Sequence, residues 1–360
     1  MCAAARSLVV ALALLAGAAP ARAGEGGAPG GAPADASLVR LAFVGDVSFA
    51  GRPAPRDAAT AKGAANPLRA FAAVFGAADL AVANLEGLLT AEAPEAYGES
   101  RLNIGARPVW AGVFAAAGVG LVGLANNHTW DGGADGLREH VGHVAATGVP
   151  TMGAGADDAA ARAPFVLERE GGCVALLPAT LKSNRPPRAG AAAAYYKGDD
   201  GLAALVAAAR AQRERGCFVV VYVHWGREAV DAPPASVVAA AHALVDDGGA
   251  GLVVGSHPHV LQGIERRGEA VIAYSLGNFV FTNRTPEKRM TGVLEATVRL
   301  ARGAPALAEV AFVPAMIDVA TFAPAPATGK ARAAVVARMT TLSAALGAHL
   351  DDRGGRLLLR

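Results

Sequence analysis

The stretch Ala250-Gly251-Leu252-Val253-Val254-Gly255-Ser256-His257-Pro258-His259 joins a short apolar run to two histidines one residue apart. Such a run, bounded by glycines, has the length and content of a buried strand. Two imidazoles at its carboxyl end can face one cavity, and neutral imidazole is a common ligand for zinc and other transition metals. Alone, the pair is weak evidence for a metal, and an ordinary loop is the commoner reading. Its meaning depends on where the other polar residues fall.

Four further polar clusters follow apolar runs in the same way. Gly45-Asp46 follows residues 41–44, Asn84-Leu85-Glu86 follows 80–83, Asn126-Asn127-His128 follows 121–125, and His224-Trp225-Gly226 follows 219–223. Ligands of α/β sheets bind outside the carboxyl ends of the strands, so five clusters placed this way converge on one crevice. Asp46 and Glu86 offer carboxylates, Asn127 an amide oxygen, and His224, His257 and His259 imidazole nitrogens. A mixed nitrogen and oxygen set without thiolate favours Mn, Fe or Zn over Ca or Mg. Six candidate ligands exceed those of one tetrahedral zinc and suit two adjacent ions that activate a water. Each cluster also has an ordinary reading. Asp46 suits a helix cap, Asn84 and Asn126 suit self-bonding turns, and His224 suits a hydrogen-bonded interior position. Their shared place at strand ends is the more specific signal. His140, His143, His242 and His349 lie away from these ends and are assigned no role.

Strands are expected over residues 38–44, 80–83, 120–125, 218–223 and 252–254, with hairpins over 165–178, 260–274 and 293–312. Helices are expected over 109–117, 134–147, 201–215, 235–245 and 331–346. Strands alternating with helices, then mostly hairpins, indicate two stacked sheets with helices outside. Residues 323–327, rich in proline and alanine, read as a linker, and 353–360 as a frayed tail. The charged loop 282–290 reads as a solvated turn, with a mobile cover over the crevice as the alternative.

The chain has 360 residues, 53% hydrophobic and 5% aromatic, with a formal net charge of +2. That is ample for a sizeable core. No basic block with interleaved aromatics occurs, which argues against nucleic acid as a partner. Residues 8–19 form an apolar run of signal-peptide length before Ala21-Arg22-Ala23, a small-residue cleavage pattern. The run is too short to span a bilayer. Residues 1–23 are therefore expected to be a signal peptide cleaved near Ala23, and 24–36 a flexible linker. The mature chain, without a transmembrane helix, is expected in the periplasm, cell envelope or extracellular space. Of three cysteines, Cys2 lies in the signal segment. Cys173 and Cys217 each open an apolar run and read as buried thiols, with a disulfide as the alternative after export.

Six blocks occur in order: Gly45-Asp46-Val47, Asn84-Leu85-Glu86-Gly87, Ala125-Asn126-Asn127-His128-Thr129-Trp130-Asp131-Gly132-Gly133, His224-Trp225-Gly226-Arg227-Glu228, Gly255-Ser256-His257-Pro258-His259-Val260 and Tyr274-Ser275-Leu276-Gly277-Asn278-Phe279. From about residue 39 to 282 the chain thereby resembles the CapA family, the bacterial capsule or poly-γ-glutamate synthesis proteins. CapA-like domains look like members of the calcineurin-like metallophosphoesterase superfamily. The resemblance implies an α/β fold: a four-layer α/β/β/α sandwich of two mixed sheets flanked by helices, over residues 37–322. A linker, C-terminal helix and tail would occupy 323–360. It also implies Asp46, Glu86, Asn127, His224, His257 and His259 as metal ligands, and His128 as the histidine at the substrate oxyanion. Two departures stand out. The phosphoesterase pattern Asp-x-His is here Asp46-Val47-Ser48, and its bridging aspartate is here Glu86. With one imidazole missing, the site is expected to hold one or two divalent transition-metal ions.

Three functions are open at this point. The first is an exported protein of capsule or poly-γ-glutamate synthesis or handling, acting on an anionic polymer beside membrane-bound synthesis partners. The second is a metal-dependent hydrolase of a phosphoester or amide, with His128 as acid and Glu228 as base or as support for His224. The third is a non-catalytic polymer-binding module. Asn84, Asn126, Asp131 and Asn278 are expected to contact substrate or to support the ligands.

Overall fold

The computed structural model describes residues 37–91, 104–185, 191–301 and 303–360. The predicted signal peptide and linker, residues 1–36, lie outside the described residues. Residues from Asp35 to Arg360 form one compact unit.

Period-two alternation along the strands builds the layers. In the first strand, Ser37–Val47, residues Val39, Leu41 and Phe43 pack into one core and Ala42 and Val44 into another. The first group meets Phe218, Val220 and Tyr222 of strand Cys217–His224, which makes a core between two sheets. Ala42 and Val44 instead meet Phe71, Phe75, Phe114 and Leu137, which come from helical segments outside the first sheet. On the far side, Val219, Val221 and Val223 meet Leu205, Ala240 and Leu244. These last come from helices Gly198–Glu214 and Ala235–Asp246. Three cores therefore separate four layers, α/β/β/α, as the resemblance implied.

The larger sheet has ten strands. Its main path runs Leu350–Arg353, Arg356–Leu359, Ala306–Ile317, Met290–Leu300, Ser37–Val47, Leu80–Leu85, Leu121–Gly123, Thr151–Met152. Strand Asn278–Val280 lies parallel to the carboxyl end of Ser37–Val47. The second sheet has six strands, in the order Ile264–Arg267, Ala270–Ala273, Leu252–Ser256, Cys217–His224, Gly172–Thr180, Phe165–Arg169. Both are mixed sheets: the larger is parallel from Ser37–Val47 out to Thr151–Met152 and antiparallel on its other side, and the second is parallel in the middle with an antiparallel hairpin at each edge.

Several expectations need correction. Residues 353–360 are no frayed tail. Arg356–Leu359 pairs with Leu350–Arg353 and with Ala306–Ile317, and it buries Leu357 and Leu359 in the core between the sheets. Gly354 and Gly355, both at positive φ, make the turn that permits this. The proline-rich 323–327 is no plain linker either, because Pro324–Pro326 adds a short edge strand to Ala306–Ile317, a place where proline is tolerated. The helix expected over 109–117 begins as a 3-10 turn, Pro108–Gly112, before Val113–Ala117. Cys173 and Cys217 are not free thiols. They are register partners on neighbouring parallel strands, their Cα atoms lie 4.5 Å apart, and a disulfide joins them. Their pairing depends on which strands are neighbours, which the sequence does not display. The 282–290 loop contains a short helical turn, Pro286–Arg289, and is tethered by Arg289 Nε, which donates to Ile317 O at 2.7 Å.

Candidate metal centre

Register lines up the polar residues of each sheet before the sheets meet. In the first, Asp46 stands opposite both Asn84 and Asn278. In the second, His224 stands opposite Thr180 and Ser256. Gly45 permits this crowding, because a Cβ there would lie 1.9 Å from Gly277 O. Asp46 N donates to that same carbonyl at 2.9 Å. Across the layers, Tyr222 OH donates to Val44 O at 2.6 Å and His257 N donates to Asp46 Oδ2 at 3.0 Å.

Asp46 is the hub. Its Oδ1 accepts Asn84 Nδ2 at 2.7 Å, and His259 Nδ1 lies 3.5 Å from Oδ2. Burial alone would raise its carboxyl, but the His259 contact and the charges of His224 and His259 hold it well below the usual range. Glu86 is different. It is 1% exposed and neither carboxylate oxygen has a hydrogen-bond partner. Its nearest cationic atoms are His259 Nε2 at 3.7 Å and His128 Nε2 at 3.8 Å. Burial pushes its carboxyl up to about 7; His259 pulls against the rise and Asp46 adds to it. For His259, burial favours the neutral ring, but Glu86 and Asp46 win and raise it to about 9.

The other imidazoles behave oppositely. Burial lowers His224 well below its ordinary value. Burial and then the neighbouring His259 bring His257 down to about 4. Both rings are therefore neutral near pH 7, the form that ligates metals. His224 Nε2 lies 2.8 Å from Asn127 Oδ1 and 3.1 Å from His257 Nδ1, while its Nδ1 meets Ser256 Oγ at 2.9 Å. Three candidate ligands thus point at one another. The backbone supports this at a conformational cost: His257 and His259 have φ of 95° and 57°, a region disfavoured for residues with a Cβ.

A buried carboxylate without a hydrogen bond is expensive, and a divalent cation would resolve that cost. Ligand atoms of Asp46, Glu86 and His259 lie within 4.8 Å of one another, as do those of Glu228, His257 and His259. The donor set is compatible with a divalent metal. Ser48, which stands where the phosphoesterase pattern has histidine, is buried and accepts Ala50 N at 3.4 Å.

All six predicted ligands gather at this crevice. Asn84, Asn126 and Asn278 are buried behind them. Asn126 Nδ2 donates to Leu85 O at 2.8 Å and to Asn84 Oδ1 at 3.2 Å, and Asn278 Oδ1 lies 2.8 Å from His259 Nδ1. Asp131 Oδ2 holds His128 Nδ1 at 2.6 Å. Burial opposes protonation of His128, yet Asp131 and Glu86 raise its pKa above the ordinary 6.5. Glu228 is exposed and lies beside His257 and His259; the partners of His224 are Asn127, Ser256, Asn84 and His257 instead. Two neighbours escaped the sequence reading. Ser256 orients His224. Asn184 accepts Asn127 Nδ2 at 3.2 Å and places its own Nδ2 3.4 Å from His128 Nδ1. Ser256 sits inside the Gly-Ser-His-Pro-His block and was findable there, whereas Asn184 lies in a loop without any periodic signal. A separate cavity of about 620 Å³ opens on the larger sheet between Arg40, Glu295, Glu309 and Arg356. Arg356 already pairs with both glutamates there, so it offers no comparable set of free donors.

Comparison with known proteins places the chain. The chain is 28% identical to "PGA biosynthesis protein CapA" of Bacillus subtilis (strain 168) over 249 residues, which cover 68% of this chain and 63% of that one. It is 34% identical to "Capsule biosynthesis protein CapA" of Bacillus anthracis over 172 residues, 46% of this chain and 41% of that one. The match thus spans less than two thirds of either relative. A solved structure, "GAP50 the anchor in the inner membrane complex of Plasmodium", aligns over 88% of this chain and 98% of its own at a TM-score of 0.39 and 10% identity, too low to bear on the fold. The metallophosphoesterase-like family described as "Bacterial capsule synthesis protein PGA_cap" matches residues 40–283. With most of its length inside that match, the chain belongs to the bacterial capsule synthesis protein family.

Proposed function

We propose that this chain is an exported protein that makes or handles poly-γ-glutamate or a related anionic capsule polymer, acting through a divalent metal at the strand ends. Family membership and the relatives' names support the polymer. The Cys173–Cys217 disulfide and the apolar run at residues 8–19 support export to an oxidising compartment. Among the described residues no helix is long and apolar enough to cross a membrane. The observation that carries the metal is the Glu86 carboxylate, buried beside Asp46 and His259 with neither oxygen accepting a hydrogen bond. Asp46, Glu86 and His259 would hold one ion of Mn, Fe or Zn, and Asn127, His224 and His257 offer donors to a second. When bound, such an ion polarises a carbonyl or phosphoryl oxygen and acidifies a water.

His128 is the group placed to move a proton. Asp131 holds its Nδ1, so Nε2 faces Glu86, and its raised pKa favours the protonated ring. It would donate from Nε2 to a developing oxyanion or leaving group. Asn278 fixes the His259 ring, and Ser256 and Asn127 fix His224; bonds of this kind hold ligands in one orientation. The His128–Asp131 pair also favours a second reading, metal-dependent hydrolysis of a phosphoester or amide.

Elemental analysis of purified protein tests the metal: bound Mn, Fe or Zn is expected, and a chain that takes up none after incubation with each sinks the proposal. Binding or cleavage of poly-γ-glutamate is expected alongside. Turnover of a phosphoester that disappears in His128→Ala, with no effect on the polymer, would establish the second reading instead.

A further inference from the structure

We propose that Glu228 is a metal ligand and that, with His257 and His259, it completes a cation position at the mouth of the crevice. The inference rests on the divalent-metal reading above. Ligand atoms of the three side chains lie within 4.8 Å of one another. His257 Nδ1 already faces His224 at 3.1 Å, which leaves Nε2 as the nitrogen available to an ion beside Glu228. Three protein ligands with an open position for water or substrate is a common arrangement for a catalytic transition metal.

Exposed carboxylates occur on any surface, so proximity alone would mean little. What distinguishes Glu228 is how firmly its segment is fastened to the histidine loop. Trp225 N donates to Ser256 O at 3.1 Å and Ala229 N to Pro258 O at 2.9 Å, on either side of Glu228. Gln262 Nε2 then donates to Val230 O at 2.7 Å. Arg338 bridges Asp231 Oδ1 at 2.6 Å and Leu261 O at 2.9 Å. The left-handed backbone is concentrated here too. Of the four non-glycine residues with positive φ among the described residues, Ala229, His257 and His259 lie on these two segments, and only Phe322 lies elsewhere. The fold thus holds Glu228 against the two imidazoles at a conformational cost, while Glu228 makes no hydrogen bond or ion pair with any described residue.

Ser48 offers no imidazole to the inner set of Asp46, Glu86 and His259. A carboxylate arriving from the Trp225–Ala229 side brings another donor to the same group of rings. His259 belongs to both sets, and with its Nδ1 held by Asn278 it has one nitrogen, Nε2, to give, so the outer position adjoins the inner one and His259 serves one of the two at a time.

The test uses the full chain. Crystals soaked in MnCl2 should show anomalous density within bonding distance of the Glu228 carboxylate. Calorimetric titration with Mn2+ should show one class of site weakened at least about tenfold in Glu228→Gln, with Glu228→Asp intermediate. The metal-free variants should melt where the parent does, because the side chain is exposed. A Glu228→Gln titration that superimposes on the parent's overturns the inference and leaves the inner site standing. A parent chain that binds neither Mn2+ nor Zn2+ overturns both readings together.

Discussion

The two sheets reach the crevice with different chemistry. The first brings mostly oxygen: Asp46, Asn84, Glu86, Asn126, Asn127 and Asn278, with His128 beyond them. The second brings the imidazoles of His224, His257 and His259. Within each sheet the groups are poor company. Asp46 raises the pKa of Glu86, and His257 and His259 lower that of His224. The larger relief comes across the gap, where His259 faces both carboxylates, while His128 and Asn84 of the first half add to it. Neither half alone gathers the proposed ligand set. The crevice is a product of sheet-on-sheet packing, and the oxygen half remains the less satisfied, since neither oxygen of Glu86 accepts a hydrogen bond.

That asymmetry can be broken from the oxygen side first. Glu86→Gln should lower metal affinity by roughly a hundredfold or more, while the metal-free chain gains about 1–2 kcal/mol because a buried charge becomes a neutral amide. Calorimetry and urea denaturation read both; unchanged affinity in Glu86→Gln would show that the oxygen half is not the ligand set.

The imidazole half is braced far from its ligands. The disulfide closes strands Gly172–Thr180 and Cys217–His224 at their starts, and His224 ends the second of these. Replacing both cysteines by alanine should cost about 3–4 kcal/mol for a bridge spanning 44 positions. Metal affinity should survive. A parallel collapse of binding would mean that the brace shapes the crevice as well as the fold.

Tyr222 joins the halves directly. Tyr222→Phe deletes its bond to Val44 O and should cost about 1–1.5 kcal/mol, with metal affinity falling measurably as the sheet ends loosen. If stability falls and affinity does not, the sheet ends are held by other contacts.

The smallest effect sharpens the contrast between histidines. His140 is buried among the outer helices, accepts Leu89 N at 2.9 Å, and is lowered to about 3 by burial and then by His143. A lowered folded-state value gives stability that is complete above the ordinary 6.5 and lost as pH falls toward 3. His259, raised to about 9, contributes stability that is complete below 6.5 and lost as pH rises through 9. His140→Gln should therefore flatten the acid side of the stability profile, by about 1 kcal/mol between pH 6.5 and 5.5. An unchanged acid limb would show that His140 keeps its ordinary titration.

Much of this was legible in the chain because its strands are nearly uninterrupted apolar runs. Each run stops at a polar cluster, and that placed the six ligand candidates at one edge before any contact was known. What stayed hidden depended on neighbours in space. The Cys173–Cys217 bridge needs two strands to be adjacent. The 353–360 hairpin turns on Gly354-Gly355 and a pair of leucines too short for a periodic signal. Asn184 and the true surroundings of Glu228 are set by loops laced to other loops, for which local sequence carries no period.

The contact between Gly45 and Gly277 bears on timing. Asp46 and His257 stand 211 positions apart, and strand Asn278–Val280 must lie beside the first strand before His259 gains its Asn278 partner. A chain made from its amino terminus therefore presents both carboxylates long before the segment that closes around them exists. An ion held as proposed would be loaded only once nearly the whole domain is made. With the proposed export, the metal supply that governs occupancy would be that of the compartment in which folding finishes, not of the one in which synthesis begins.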